Sequence, residues 1–434
     1  MPVGGLLLAS LVFVGLVACS DSESPPATVV VEVDSGLEAS ARVRFPEPGD
    51  LGLLAFIRDG NVWVMALPDG AEVQLTADSG YTSPRWSRDG RGLAADRVTS
   101  SQRAERWLLD QDGVRLRLWE APPSPCPPPE DTATCLSSLL ETGPDGVDAS
   151  LLLPMRRTAV SPERDQIALV RSAESNPPQL MVWSVGASET EVVTQASNQD
   201  GVWILAGWTS DRGYLLAWEL PTRSASLAAG GGPLRLVDLR TGELTGLGHT
   251  LLYADFVVPG PSRIALILGG GREAWYGKRL GIAELGSGSR PSVAQPVGVP
   301  EGAVTSPAWS SDGSDLAYVV GPDLGPVGGG DRARDGLMLR RIYLHDLATE
   351  EVRQLLDDAS YRDEHPEWSD DGDHILFARF DETDRISIWL ASTGAVPAPS
   401  VQVEGLTGDP ETTWFGYYGH VDWDEIYDWW QPVR

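Results

Sequence analysis

Three stretches of the chain share one frame: SPRWSRDGRGLAADR at 83–97, SPAWSSDGSDLAYVV at 306–320 and HPEWSDDGDHILFAR at 365–379. Each places Pro, one residue, Trp and Ser ahead of an Asp-Gly pair, with an apolar run after it. Weaker copies keep the spacing with fewer letters: AVSPERDQIALVR at 159–171, GWTSDRGYLLAWE at 207–219 and FVVPGPSRIALIL at 256–268. In every copy an aliphatic residue follows the Trp position by seven, pairing 86 with Leu93, 160 with Ile167, 208 with Leu215, 257 with Ile264, 309 with Leu316 and 368 with Ile375. An Asp-Gly pair supplies the positive φ angles of a tight turn, so the frame reads as a β-hairpin with Trp on its first strand. A unit this small cannot bury its apolar faces alone and must stack on its neighbours.

Third alternating segments follow most hairpins, among them Asn61 to Met65, Leu234 to Asp238, Arg341 to Asp346 and Ile386 to Leu390, and fourth segments follow those. Four strands every 45 to 50 residues or so is the pattern of a propeller blade. From 160 onward the copies start 48, 49, 52 and 59 residues apart, while 86 to 160 takes 74 because a Pro-rich insertion occupies 121–150. His420-Val421-Asp422-Trp423 echoes His365-Pro366-Glu367-Trp368 and reads as a seventh first strand with nothing after it. Leu51 to Arg58, Val62 to Leu67 and Val73 to Thr76 read as second, third and fourth strands with no first strand before them. Joining the two ends completes one blade and removes the open sheet edge. The expected fold is therefore an all-β propeller of four-stranded blades, seven in number with six as the alternative, occupying residues 49–434 as a monomer.

The SPxWSxDGxxLA frame resembles the WD-like repeat of TolB-type propellers, also found in the propeller domains of prolyl oligopeptidase and dipeptidyl peptidase relatives. The resemblance covers about residues 50 to 430 and implies the propeller alone. Residues 20 to 50 are too short for the mixed α/β domain of TolB proteins, and no length remains for a hydrolase domain.

The first residues, MPVGGLLLASLVFVGLVAC, hold an apolar run from Leu6 to Ala18 that is too short to span a bilayer and of signal-peptide length. Leu16-Val17-Ala18-Cys19 resembles the bacterial lipobox, which implies removal of 1–18 and acylation of Cys19, although no Lys or Arg precedes the run. Residues 19–48 are rich in Ser, Pro and acids and read as a flexible tether, within which TVVVEV at 28 to 33 is placed to add a strand. Ser20 lacks the acidic residue that retains lipoproteins in the inner membrane of enteric bacteria, which favours the outer membrane. In an exported chain the remaining cysteines, Cys126 and Cys135, are expected to close a local disulfide across the Pro-rich loop.

Acidic residues outnumber basic ones 62 to 33, for a net charge of −29, which excludes nucleic acid and adhesion to anionic lipid through charge. Membrane contact is expected through the lipid anchor only. Lys278 is the only lysine. No G-x-S-x-G, P-loop, H-E-x-x-H or paired C-x-x-C occurs, so no catalytic residue is assigned. The histidines (249, 345, 365, 374 and 420) are scattered, and the repeat explains three of them: 345 in a third strand, 365 and 420 before a Trp. Asp370, Asp371 and Asp373 raise the question of calcium, but Asp89-Gly90 and Asp312-Gly313 fill the same place without extra acids, so a turn is expected and no metal ligand is assigned.

Most of the 16 Trp fall at repeat positions and are expected to pack. Those outside it are Trp275 with Tyr276, and Trp414 with Phe415, Tyr417 and Tyr418. Asp-Gly turns emerge on one face of the disc; two-to-three loops and links between blades emerge on the other. The long insertions, at 121 to 150, Pro221 to Pro233, Gly269 to Lys278, Gly321 to Asp335 and 408 to 418, belong to the second group, so that face is the expected binding surface for an envelope protein or polymer. The alternative is a lyase or hydrolase working at the channel mouth through acids on first strands, with calcium as its possible cofactor.

Overall fold

The computed structural model describes residues 32–33, 43–99, 104–120, 158–197, 201–285, 291–406 and 418–432, apart from 112, 114, 164, 174–175, 185–186, 188–189, 222–223 and 225–227. Its strands form seven antiparallel sheets, each containing a meander of four strands that runs from the propeller axis outward. The inner strands, in order, are Tyr81–Trp86, Thr158–Val160, Val202–Trp208, Val257–Pro259, Ala303–Trp309, Arg362–Trp368 and Tyr427–Trp430, which define blades 1 to 7. The fold is a seven-bladed propeller.

Blade 7 takes its inner strand from the C-terminal end and the other three, Leu53–Arg58, Asn61–Ala66 and Val73–Gln74, from the N-terminal part. Leu53 to Phe56 pair with Trp430 to Tyr427. The joint is thus where expected, but its strand is not. Trp423 lies in a 3-10 turn, Trp423–Glu425, and Tyr427–Trp430 pairs in its place. His420 accordingly sits in the link before the blade and has no equivalence with His365. Five of the six hairpin pairings recur in the ladder, from Trp86 with Leu93 to Trp368 with Ile375. In blade 4 the partner of Ile264 is Pro259 rather than Val257, because the turn there is two residues shorter.

The repeated letters have separable tasks. In blade 6 the Ser369 hydroxyl donates to Asp371 Oδ1 at 2.6 Å and accepts the His374 N–H, while Asp371 Oδ1 also accepts the Asp373 N–H. Ser310 with Asp312 and Ser87 with Asp89 repeat this closure. The acids of the opening frame therefore serve the turn. The Trp reaches the neighbouring blade: Trp368 Nε1–H donates to the Ala308 carbonyl at 3.0 Å, Trp309 to Val258, Trp208 to Ala159 and Trp86 to Asp428. At Gly90, φ is +69° and a Cβ would meet the Trp430 ring at 2.5 Å, so glycine serves both turn and seam.

Apolar clusters fill six of the seven seams among the described residues. Leu376, Phe380 and Ile388 of blade 6, for example, meet Leu54, Phe56 and Trp429 of blade 7. The core is thus distributed between blades rather than gathered at one centre. Replacing Trp208 with Phe keeps the buried ring but leaves the Ala159 carbonyl without its indole donor. A loss of about 1 kcal/mol is expected, read as a lower urea midpoint at unchanged slope.

Candidate functional site

The inner strands converge with the last link of the chain on the loop face. Residues 418–426 form a strap that touches four blades before entering blade 7. The Tyr418 carbonyl accepts the Ala274 N–H at 2.8 Å, and the Gly419 carbonyl accepts Arg340 Nη1 at 2.8 Å. Gly419 has φ +85°, and a Cβ there would come within 2.5 Å of the Trp275 ring, so the strap passes this point only as glycine. His420 Nε2 lies 2.8 Å from Asp255 Oδ1, and its ring stacks on Tyr253 with centroids 3.6 Å apart. Trp423 packs between His365 and Phe380, and Asp424 pairs with Arg85 of blade 1 at 3.4 Å.

Three inner strands carry a bulge at one repeat position. Ser83, Ser306 and His365 precede the prolines of the repeat frame with φ of 53°, 47° and 48°, and the pairing register shifts there in each blade. The bulge takes these side chains out of the ladder. Ser306 Oγ donates to Asp255 Oδ2 at 3.0 Å, and His365 Nε2 lies 3.4 Å from Glu367 Oε1. Burial alone would lower the His365 pKa, but the hydrogen bond to Glu367 and the charges of Glu367, Asp255 and Asp424 raise it to about 9. Burial likewise opposes ionisation of Asp255, yet the charge of His420 and its hydrogen bond hold that carboxyl below its ordinary range. At Asp428 burial wins, raising the group to about 6 despite Arg85 and the Trp86 N–H, which it accepts at 2.6 Å.

Beside this lies a buried ionic core in blades 5 and 6. Glu364 accepts from Arg340 at 2.7 Å and Arg362 at 2.6 Å, while Arg379 pairs with Asp363 at 2.7 Å and covers the Tyr361 ring. Burial raises Asp363 to about 6 in spite of Arg379. No local pattern announces this convergence, because Asp255 and His420 stand in links outside the repeat.

The structure corrects the reading of Trp275. Its indole is 1% exposed and packs with Leu324, Val327, Tyr418 and the Ala333 and Leu337 side chains of the short helix Asp331–Leu337. Trp275 and Tyr418 are brought together, but as a small core that anchors the strap, so Trp275 has no face to offer a partner. Tyr276, next to it, is 40% exposed. Lys278 is fully buried, its ammonium donating to the Gly270 and Tyr276 carbonyls at 3.0 Å and approaching that of Gly271. Burial brings it down to about 8 against the charges of Glu273 and Asp323. Trp414, Phe415 and Tyr417 lie outside the described residues, as do Cys19, Cys126 and Cys135.

No family model matches the sequence, and no curated protein matches it. Solved structures that resemble it include TolB from Acinetobacter baumannii, at 16% identity over 82% of this chain and 66% of that one, with a TM-score of 0.37. Another comes from a study of two prolyl endopeptidases, at 12% identity over 82% of this chain and 50% of that one, TM-score 0.48. A third is oligogalacturonate lyase in complex with manganese, at 18% identity over 83% of this chain and 98% of that one, TM-score 0.41. The chain spans less than two thirds of the TolB chain and half of the endopeptidase chain. At these identities the likeness is one of fold.

The shifted groups set the pH response. His365 binds its proton more tightly when folded, so its contribution is full below 6.5 and is lost as pH rises through about 9. Asp363 and Asp428 are also raised, so their contribution is full below 3.8 and is lost as pH rises through about 6. Asp255 has the opposite sign and loses its contribution as pH falls below the ordinary carboxylate range. Thermal scans are expected to show greatest stability in mild acid with a decline toward pH 9. His365→Asn, which tolerates the positive φ, should flatten the limb above 6.5; an unchanged limb assigns it elsewhere.

Proposed function

We propose that this chain is a lipid-anchored cell-envelope propeller that works by binding, presenting its loop face to an envelope protein or polymer. The observation that carries the reading is the use made of the ionisable groups at the inner rim. Asp255 is engaged by His420 and Ser306, Glu364 by two arginines, and Asp424 and Asp428 face Arg85. These groups hold the strap and one another. The same face carries the long loops, where Tyr276 and Leu339 are 40% and 58% exposed on segments that bear both acids (Glu273, Asp323, Asp331, Asp335) and arginines (Arg272, Arg279, Arg332). Such a surface suits a partner with apolar anchors in a polar surround that carries charge of both signs.

Export and acylation at Cys19 supply the envelope address, with the outer membrane favoured. Cys126 and Cys135 form the disulfide of the insertion, and Trp414, Phe415, Tyr417 and Tyr418 belong to the link that flanks the binding face. The chain acts as a monomer without a resident cofactor. The competing reading, an enzyme at the channel mouth, draws on two histidines and several carboxylates meeting there. His365 is protonated at neutral pH by its neighbours, which removes it as a general base. A calcium-dependent rise in melting temperature would favour that competing reading.

The test is a photocrosslinking residue placed at position 339 on the loop face or at 240 on the turn face, in cells. Discrete partners are expected at 339 and not at 240, and Tyr276→Ala should weaken their capture about tenfold, as for an interface anchor, at unchanged melting temperature. Identical profiles from both faces would overturn the reading.

A further inference from the structure

The N-terminal segment adds a fifth strand to blade 1: Glu32 and Val33 pair antiparallel with Arg117 and Leu116 of the outer strand Arg115–Glu120. We infer that this pairing routes the N-terminal tether out over the loop face, so that the loop face points toward the membrane holding Cys19. The inference rests on acylation of Cys19 as proposed above.

The direction follows from topology. Within a blade, first and third strands run from loop face to turn face, and second and fourth strands run back. Arg115–Glu120 is a fourth strand and so ends at the loop face. A strand antiparallel to it runs the other way, so Glu32 is entered from the loop-face side and Val33 leads toward the turn face.

Without this pairing the chain would leave from the opposite side. Residues 43–52 lie at the turn-face end of blades 7 and 1: Phe45 packs edge-on against Trp86, which ends the first strand of blade 1, and the Leu51 N–H donates to the carbonyl of Leu67, just after a third strand. The stretch expected as a free tether is thus bound to the disc at two places, and the first of them reverses its exit. Between Cys19 and Val31, 13 residues span at most roughly 45 Å. The disc carries net negative charge and gains nothing by lying on anionic headgroups. The space between loop face and bilayer is therefore where a membrane-held partner meets Tyr276 and Leu339, and one on the far side faces the one-to-two and three-to-four turns.

The experiment uses the full, acylated chain in vesicles. Because the single lysine is buried, amine chemistry will address an added one: Leu339→Lys on the loop face or Arg240→Lys on the turn face, each carrying a donor dye, with the unsubstituted chain labelled in parallel as baseline. Energy transfer to a headgroup-labelled lipid is expected to be severalfold greater from 339 than from 240. Adding Glu32→Pro with Val33→Pro, which removes whichever of the two N–H groups faces Arg115–Glu120, should abolish or invert that ratio. Mass spectrometry of the N-terminal peptide separates the possible failures. An unacylated Cys19 overturns the anchoring reading and the orientation with it. An acylated Cys19 with equal or reversed transfer, or with transfer indifferent to the two prolines, overturns the orientation alone.

Discussion

One side chain per hairpin ties the propeller together. The indole of an inner-strand Trp fills the seam and donates its N–H to a carbonyl of the preceding blade, as Trp86, Trp208, Trp309 and Trp368 all do. A blade of this size buries too little on its own, and its stability is a sum over neighbours. The Ser-Asp closure of the turn fixes where that Trp falls, and the seam fixes the angle at which the next blade starts. Where the Trp is replaced by Pro259 in blade 4, apolar packing alone continues the contact with blade 3.

The frame was legible because turn chemistry is local. Ser, Asp and Gly act within six residues, and their order predicts the hairpin wherever they occur. Blade 4 misled by two residues because Pro-Gly-Pro makes a shorter turn than the frame assumes. Blade 7 misled because Trp423 has the right neighbours in sequence but stands before the strand, and pairing with Leu53 to Phe56 selects Tyr427–Trp430 instead. The burial of Trp275 is hidden from the sequence for a different reason. Its burial depends on a helix from the next blade, Asp331–Leu337, and nothing near residue 275 announces that cover. The meeting of Asp255 with His420 was equally hidden, since two links 165 residues apart meet only after the ring has formed.

The charge of the chain has an inside and an outside. Its surface is acidic, yet Arg340, Arg362 and Arg379 are buried, each against a carboxylate on the inner strand of blade 6. Buried ion pairs of this kind add little net stability compared with apolar packing, but removing one partner is costly. They therefore specify. Glu364 is satisfied only when Arg340 from blade 5 and Arg362 from its own strand arrive together, so blades 5 and 6 have one mutual position. Gly419, bonded to the same Arg340, places the strap in that arrangement as well.

The strand Tyr427–Trp430 is made more than 360 residues after its partner Leu53–Arg58, the first strand of the ring. Until residues 427–430 are made, blade 7 consists of three strands with an open inner edge facing the axis. Blades 1 to 6 can assemble in order meanwhile, each on its predecessor. The ring remains an open arc until the ribosome has passed residue 430, and the strap, which lies just before that strand, settles over the axis in the same late event. A chain stopped before residue 427 would keep the six hairpins of blades 1 to 6 and lose the closure, leaving blade 7 without its inner strand.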